Sequence, residues 1–190
     1  MVLTRRQVLS GLAASAMGAT LGRTSYGSTA RALSLPELVT YCRHALVGTA
    51  TNSTSRWETT GDSRRIVTYY QVDVAHSIDG RPPSDLTLMV RTLGGRVGHI
   101  GQLVHGEAKL EMEAASVLFL SQSVEGLFTV TAMAQGHYPL RPDAERVPRL
   151  LPSPNMPELI QVTGSAVERL SRRSLPEAEQ LVFESLYQRP

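Results

Sequence analysis

The stretch Arg65–Ile78, reading RIVTYYQVDVAHSI, decides the fold class. Ile66, Tyr70, Val72, Val74 and Ile78 fall on one face of an alternating chain, and Tyr69, Gln71, Asp73 and Ser77 on the other. A period of two is the signature of a half-buried strand. Working outward, Ala45–Asn52 reads as a first strand, followed by a polar stretch through Gly61-Asp62. Asp79-Gly80 marks a turn, lengthened by Pro82-Pro83. Leu86–Leu93 alternates again, with Leu86, Leu88 and Val90 facing one way. Val117–Leu120 is apolar throughout, as in a strand buried on both faces. Glu125-Gly126 then turns the chain into the alternating segment Leu127–Ala134. Five or six closely spaced strands predict a mainly β domain over residues 33–141, a small barrel or a sandwich.

The flanks are helical. Ser34, Pro36 and Glu37 form a helix start of the Ser-x-x-Glu type, and the helix should end near His44. Pro142, Pro148, Pro152, Pro154 and Pro157 make residues 142–164 a linker or a strap laid over the barrel. Ser165 and Ser174 open two further Ser-x-x-Glu starts, so residues 165–190 should hold two short helices. In the second, Leu175, Ala178, Leu181, Val182 and Leu186 form an apolar stripe suited to docking on the barrel. Glu107–Glu113 combines helix-forming residues with strict alternation, and the period favours strand.

Composition narrows the function. With 42% hydrophobic and 19% charged residues, the chain is neither disordered, nor a coiled coil, nor a polytopic membrane protein. The single cysteine, Cys42, excludes an intramolecular disulfide and a CxxC zinc ribbon. The 190 residues carry 19 Lys+Arg against 17 Asp+Glu, a net charge of +2. Four of the arginines, Arg5, Arg6, Arg23 and Arg31, lie in the first 32 residues, where there is no acid. Residues 1–32 read as an export leader: Arg5-Arg6, a mild apolar run from Val8 to Leu21, and a small-x-small exit at Ala30-Arg31-Ala32. The paired arginines resemble bacterial twin-arginine signals and imply a periplasmic or secreted protein. Without that leader the net charge is −2. That charge, with few aromatics (Trp57, Tyr69, Tyr70, Phe128), excludes a nucleic-acid role, and the mature chain holds no membrane span.

The candidate binding loop is Gly94–Gly106, with Gly94, Gly95, Arg96, Gly98, His99, Gly101, Gln102 and His105 as its notable residues. Such a glycine run either cradles a ligand with exposed N–H groups or simply bends a strand at a barrel corner. It lacks the G-x-G-x-x-G of a dinucleotide site. His99 and His105 are six apart, which is not the spacing of a zinc site, and no metal or cofactor is expected. No serine sits in a nucleophile elbow, and Cys42 with His44 would leave a helix on different sides. No catalytic residue is therefore assigned.

The run Gly94–Gly106, then Glu107-Ala108, Val117–Leu120 and Met133-Ala134-Gln135-Gly136, resembles a group of exported bacterial proteins found in myxobacteria, with the pattern GGxVGxIGQxVxGEA…VLLFL…AQG. The likeness covers residues 34–140 and brings no activity with it. More remotely, Ala45–Thr49 and the strands that follow look like the netrin-type OB barrels that include tissue inhibitors of metalloproteases, although the N-terminal cysteine of that family is absent. These resemblances imply a non-catalytic binding or accessory module acting on an exported protease or another envelope protein. The rival expectations are a metal- or histidine-dependent periplasmic hydrolase using His99 or His105, and a structural envelope protein.

Overall fold

The computed structural model describes residues 29–123 and 126–187. Arg5, Arg6 and the rest of the leader through residue 28 lie outside the described residues. In chain order the elements are β1 (Thr29–Arg31), α1 (Leu35–Tyr41), β2 (His44–Thr60), β3 (Ser63–Ser77), β4 (Thr87–Leu93), β5 (Gly95–Val97), β6 (Ile100–Gln102), β7 (Ala115–Gln122) and β8 (Phe128–Val130). After a 3-10 turn at Met133–Gly136 come β9 (His137–Pro142), β10 (Pro148–Leu150), β11 (Glu158–Ile160), α2 (Ala166–Leu170) and α3 (Leu175–Tyr187).

The fold is mainly β, built on a closed five-stranded barrel. Strands run in the order β7-β2-β3-β4-β8, and a β7–β8 pairing closes the ring. Only β4 and β8 pair in parallel; the other four seams are antiparallel. The strand spacing predicted a small barrel or a sandwich; the ring is a barrel, in the Greek-key order of an OB fold. Beyond β7 the sheet continues into β9 and β10.

Burial follows from that closure. Leu46, Val72, Leu88, Val90, Leu118, Leu120, Phe128 and Val130 fill the barrel. Val47, Val117, Phe119 and Tyr138 point outward instead and form a second core beneath the helices. Val117–Leu120 is thus buried on both faces, each large side chain contributing roughly 1.5–3 kcal/mol. All five residues of the predicted α3 stripe pack into the outer core. Ser34 caps α1, its hydroxyl accepting from the Glu37 N–H at 3.4 Å while Glu37 Oε2 accepts from the Ser34 N–H at 2.8 Å. Cys42 sits in the same core, and burial pushes its thiol up to about 12, so it acts as a small hydrophobe. Among the described residues no helix is long and apolar enough to cross a membrane.

Four expectations change. The first strand continues to Thr60 and does not end at Asn52, because the polar residues 51–60 pair with β3 to the hairpin tip and their inward hydroxyls face an open barrel mouth. Glu107–Glu113 is neither helix nor regular strand: it runs extended, bridges Ala50 only at Met112, and plugs the barrel with Ala108 and Leu110. Leu86 is exposed because it precedes the first barrel pairing of β4. The strand expected over Leu127–Ala134 stops at Val130, where positive φ at Ala132 and Met133 turns the chain. The proline-rich segment is ordered into β10 on β9 and β11 on β1.

His137 ties these layers together. It is wholly buried, with Nδ1 3.0 Å from Ser153 Oγ and Nε2 3.3 Å from Ser116 Oγ. Burial, with Arg141 adding to it, lowers its pKa to about 4 from the ordinary 6.5. The unfolded chain therefore binds the proton that the folded one refuses, and stability falls as pH drops from 6.5 towards 4, by about 3 kcal/mol in all. Urea midpoints measured across this window should fall for the wild type, and His137→Gln should remove most of that slope.

Candidate functional site

The interior of the barrel changes character along its length. β2 carries register shifts between Val47 and Gly48 and between Ala50 and Asn52, and the second exchanges the faces of the strand. Ala50 faces inward opposite Val72, whereas Ser53 and Ser55 are the inward residues opposite Tyr70 and Thr68. Thr92 of β4 completes a hydroxyl-bearing ring above the apolar floor. The ring opens into a cleft of about 360 Å³.

The glycine-rich loop forms one wall of this cleft. β5 and β6 pair as a hairpin that turns at Gly98-His99. It lies against the barrel because Gly95 adopts φ +131°, and a Cβ there would collide with Thr68 Oγ1 and Ser55 Oγ. Thr68 Oγ1 donates to the Gly94 carbonyl at 2.8 Å, and Gln102 Oε1 accepts from the Ile66 N–H at 2.6 Å. From the strap, Asn155 Nδ2 donates to the carbonyls of Val104 and Glu107 at 3.0 and 2.9 Å. These bonds hold the wall in place and leave other groups free to meet a ligand.

Those other groups are Tyr70, Glu107 and Lys109. Tyr70 is only 7% exposed and lines the cleft, whereas the one fully buried side-chain polar atom without a partner among the described residues is the Tyr138 hydroxyl of the outer core. Glu107 is 8% exposed and receives only backbone N–H groups, from Ala108 at 3.1 Å and from Leu93. Burial raises its pKa above the usual carboxylate value, against the pull of those N–H groups and of Arg91. Burial, and then the Glu107 charge, likewise raises Tyr70. Lys109, the one lysine in the sequence, lines the same cleft. A buried carboxyl of shifted acidity in a polar cleft has the character of a functional site.

Of the residues expected from sequence, Gly94, Gly95, Arg96 and Gln102 line the cleft. Gly98, His99, Gly101 and His105 are exposed and lie outside its lining. His137 is enclosed in the outer core layer, so the histidines do not converge. Among the described residues no three His, Cys, Asp or Glu side chains gather as a metal site would require. The sequence reading missed Ser53, Ser55, Thr68, Tyr70, Thr92, Glu107, Lys109 and Asn155. The period-two hydroxyls Ser53 and Ser55, opposite Thr68 on a confirmed strand, were the available signal.

The outer face of β2, β3 and β4 is a weaker candidate because its charges satisfy one another. Arg56 lies 4.3 Å from the centre of the Tyr69 ring, and the Tyr69 hydroxyl donates to Glu58. Arg91 donates to Glu58 Oε2 through Nε at 3.0 Å and NH2 at 2.6 Å, which holds that carboxyl below its usual range.

Glu107 gives a pH test of the cleft. Its folded pKa is raised, so ionisation costs the folded state stability once pH passes the ordinary carboxylate value. Glu107→Gln should therefore gain urea resistance relative to wild type on going from pH 4 to pH 8. A gap between the two proteins that stays constant with pH would mean that the carboxyl is solvated.

Compared with models of protein families, with curated proteins and with solved structures, the chain finds no match.

Proposed function

We propose that this chain is an exported, non-catalytic binding module that receives another envelope or secreted protein, such as a protease, at the mouth of its barrel. The observation that carries the reading is the buried Glu107 carboxyl, bonded only to backbone N–H groups, in a cleft that it lines with Tyr70 and Lys109 and whose remaining polar groups are largely engaged. A buried carboxylate with only two backbone donors is incompletely satisfied, and a ligand that donates further hydrogen bonds to it recovers part of the cost of burying it. Leu93, Leu103 and Val104 add an apolar rim, so the cleft suits a peptide loop bearing amide and hydroxyl groups. The closed OB-type barrel supports the same reading, since such barrels bind through a sheet face and its loops.

A photo-crosslinking residue at Leu103, on the rim, should yield a discrete adduct with an exported protein in cells. The same residue at Phe183, on the far helical layer, should not. Combining Tyr70→Phe with Lys109→Ala should lower the adduct yield about tenfold, the effect of roughly 1.4 kcal/mol of lost binding. Adducts at Phe183 with none at Leu103 would overturn the choice of surface.

The export half of the proposal rests on Arg5-Arg6 and the apolar run behind them. Replacing both arginines by lysine should leave the protein in the cytoplasm, as fractionation would show. Undiminished export of that variant would refute the twin-arginine reading.

A further inference from the structure

The small-x-small exit Ala30-Arg31-Ala32 reads as a leader cleavage site in sequence, yet these residues are built into the domain. Thr29, Ala30 and Arg31 form β1 and pair in parallel with Glu158, Leu159 and Ile160 of β11. The Ala32 N–H donates to the Ile160 carbonyl at 3.0 Å. Gln135, itself buried, straddles Ala32: its Nε2 donates to the Arg31 carbonyl at 3.1 Å and its Oε1 accepts from the Leu33 N–H at 2.9 Å. The Leu33 carbonyl accepts from the Ala166 N–H at 2.7 Å. Arg31 is ion-paired with Glu37 at 2.9 Å, and that pairing helps to hold the Glu37 carboxyl near 2.

We infer that Thr29–Ala32 belong to the mature folded domain and that the leader is removed before Thr29. This rests on the export reading. A peptidase takes its substrate as an extended segment and binds its backbone, and here those backbone groups are already engaged on both sides of the Ala32–Leu33 bond. A cut at that bond would also place a charged α-ammonium at Leu33, a buried member of the outer core whose N–H has only the Gln135 amide oxygen beside it. It would detach β1 from β11 and remove the partner of Glu37. The mature protein would then keep Arg31 and carry a net charge of −1.

The test is to express the full chain in a bacterium with the twin-arginine route and read the N-terminus of the exported protein by intact mass. A start at Thr29 or earlier supports the inference, and Ala30→Arg should then leave processing unchanged. An exported chain beginning at Arg31 or Leu33 overturns it, as does loss of processing in Ala30→Arg. A chain held in the cytoplasm with its leader intact counts against the export reading instead. The purified full chain then decides: the Arg31–Ala32 bond should resist trypsin in buffer and be cut in urea, and equal rates in both would overturn the inference.

Discussion

Barrel closure depends on one strand serving two partners. β2 is hydrogen-bonded to β3 along nearly its whole length, from Leu46 to Thr60, but to β7 only from His44 to Thr49. It must therefore bend away from β7 while staying in register with β3. The two bulges supply the bend. Gly48, between them, allows the backbone to approach β3 so closely that a Cβ would lie 2.6 Å from Val72 Cγ1. A side chain at that position would open the seam on which the interior packing rests.

The second bulge also divides the barrel chemically. Below it, β2 presents Leu46 and Ala50 to an apolar floor sealed by Ala108 and Leu110. Above it, the strand presents Ser53 and Ser55, and the interior becomes polar. The turn that leads out of β3 is held by Asp79, which accepts from the Ala45 N–H at 2.9 Å, Ser77 Oγ at 2.7 Å and the Arg81 N–H at 3.0 Å. Its side chain is fully buried and paired with Arg81 at 2.8 Å, so the charge is compensated where it sits. Rigid walls and a polar mouth thus arise from the same strand geometry.

The sequence made the β3 strand, the capped α1, the α3 stripe and the doubly buried Val117–Leu120 legible, because each carries a strong local period or cap. Residues 51–60 were not legible as strand, since their polar side chains show no apolar alternation. Their pairing with β3 is long-range information that a local window lacks. The glycine loop Gly94–Gly106 was expected as a candidate binding loop, and of it Gly94–Arg96 and Gln102 line the cleft, but Glu107 and Lys109 were read only as part of an alternating segment. Only the threading of Ala108 and Leu110 into the barrel turns the two residues around Ala108 into cleft residues.

The barrel mouth and the outer sheet face contain similar residue types, yet they differ in how those residues are satisfied. On the outer face Arg56, Tyr69, Glu58 and Arg91 form a closed ladder, so a ligand there would have to break existing charge-assisted bonds before making its own. In the mouth the structural bonds are made by Thr68, Gln102 and Asn155, which fix the wall, while Glu107 keeps unused capacity. A ligand entering the mouth therefore gives up little protein–protein bonding in making its own. That difference in satisfaction, more than the difference in composition, makes the mouth the better candidate surface.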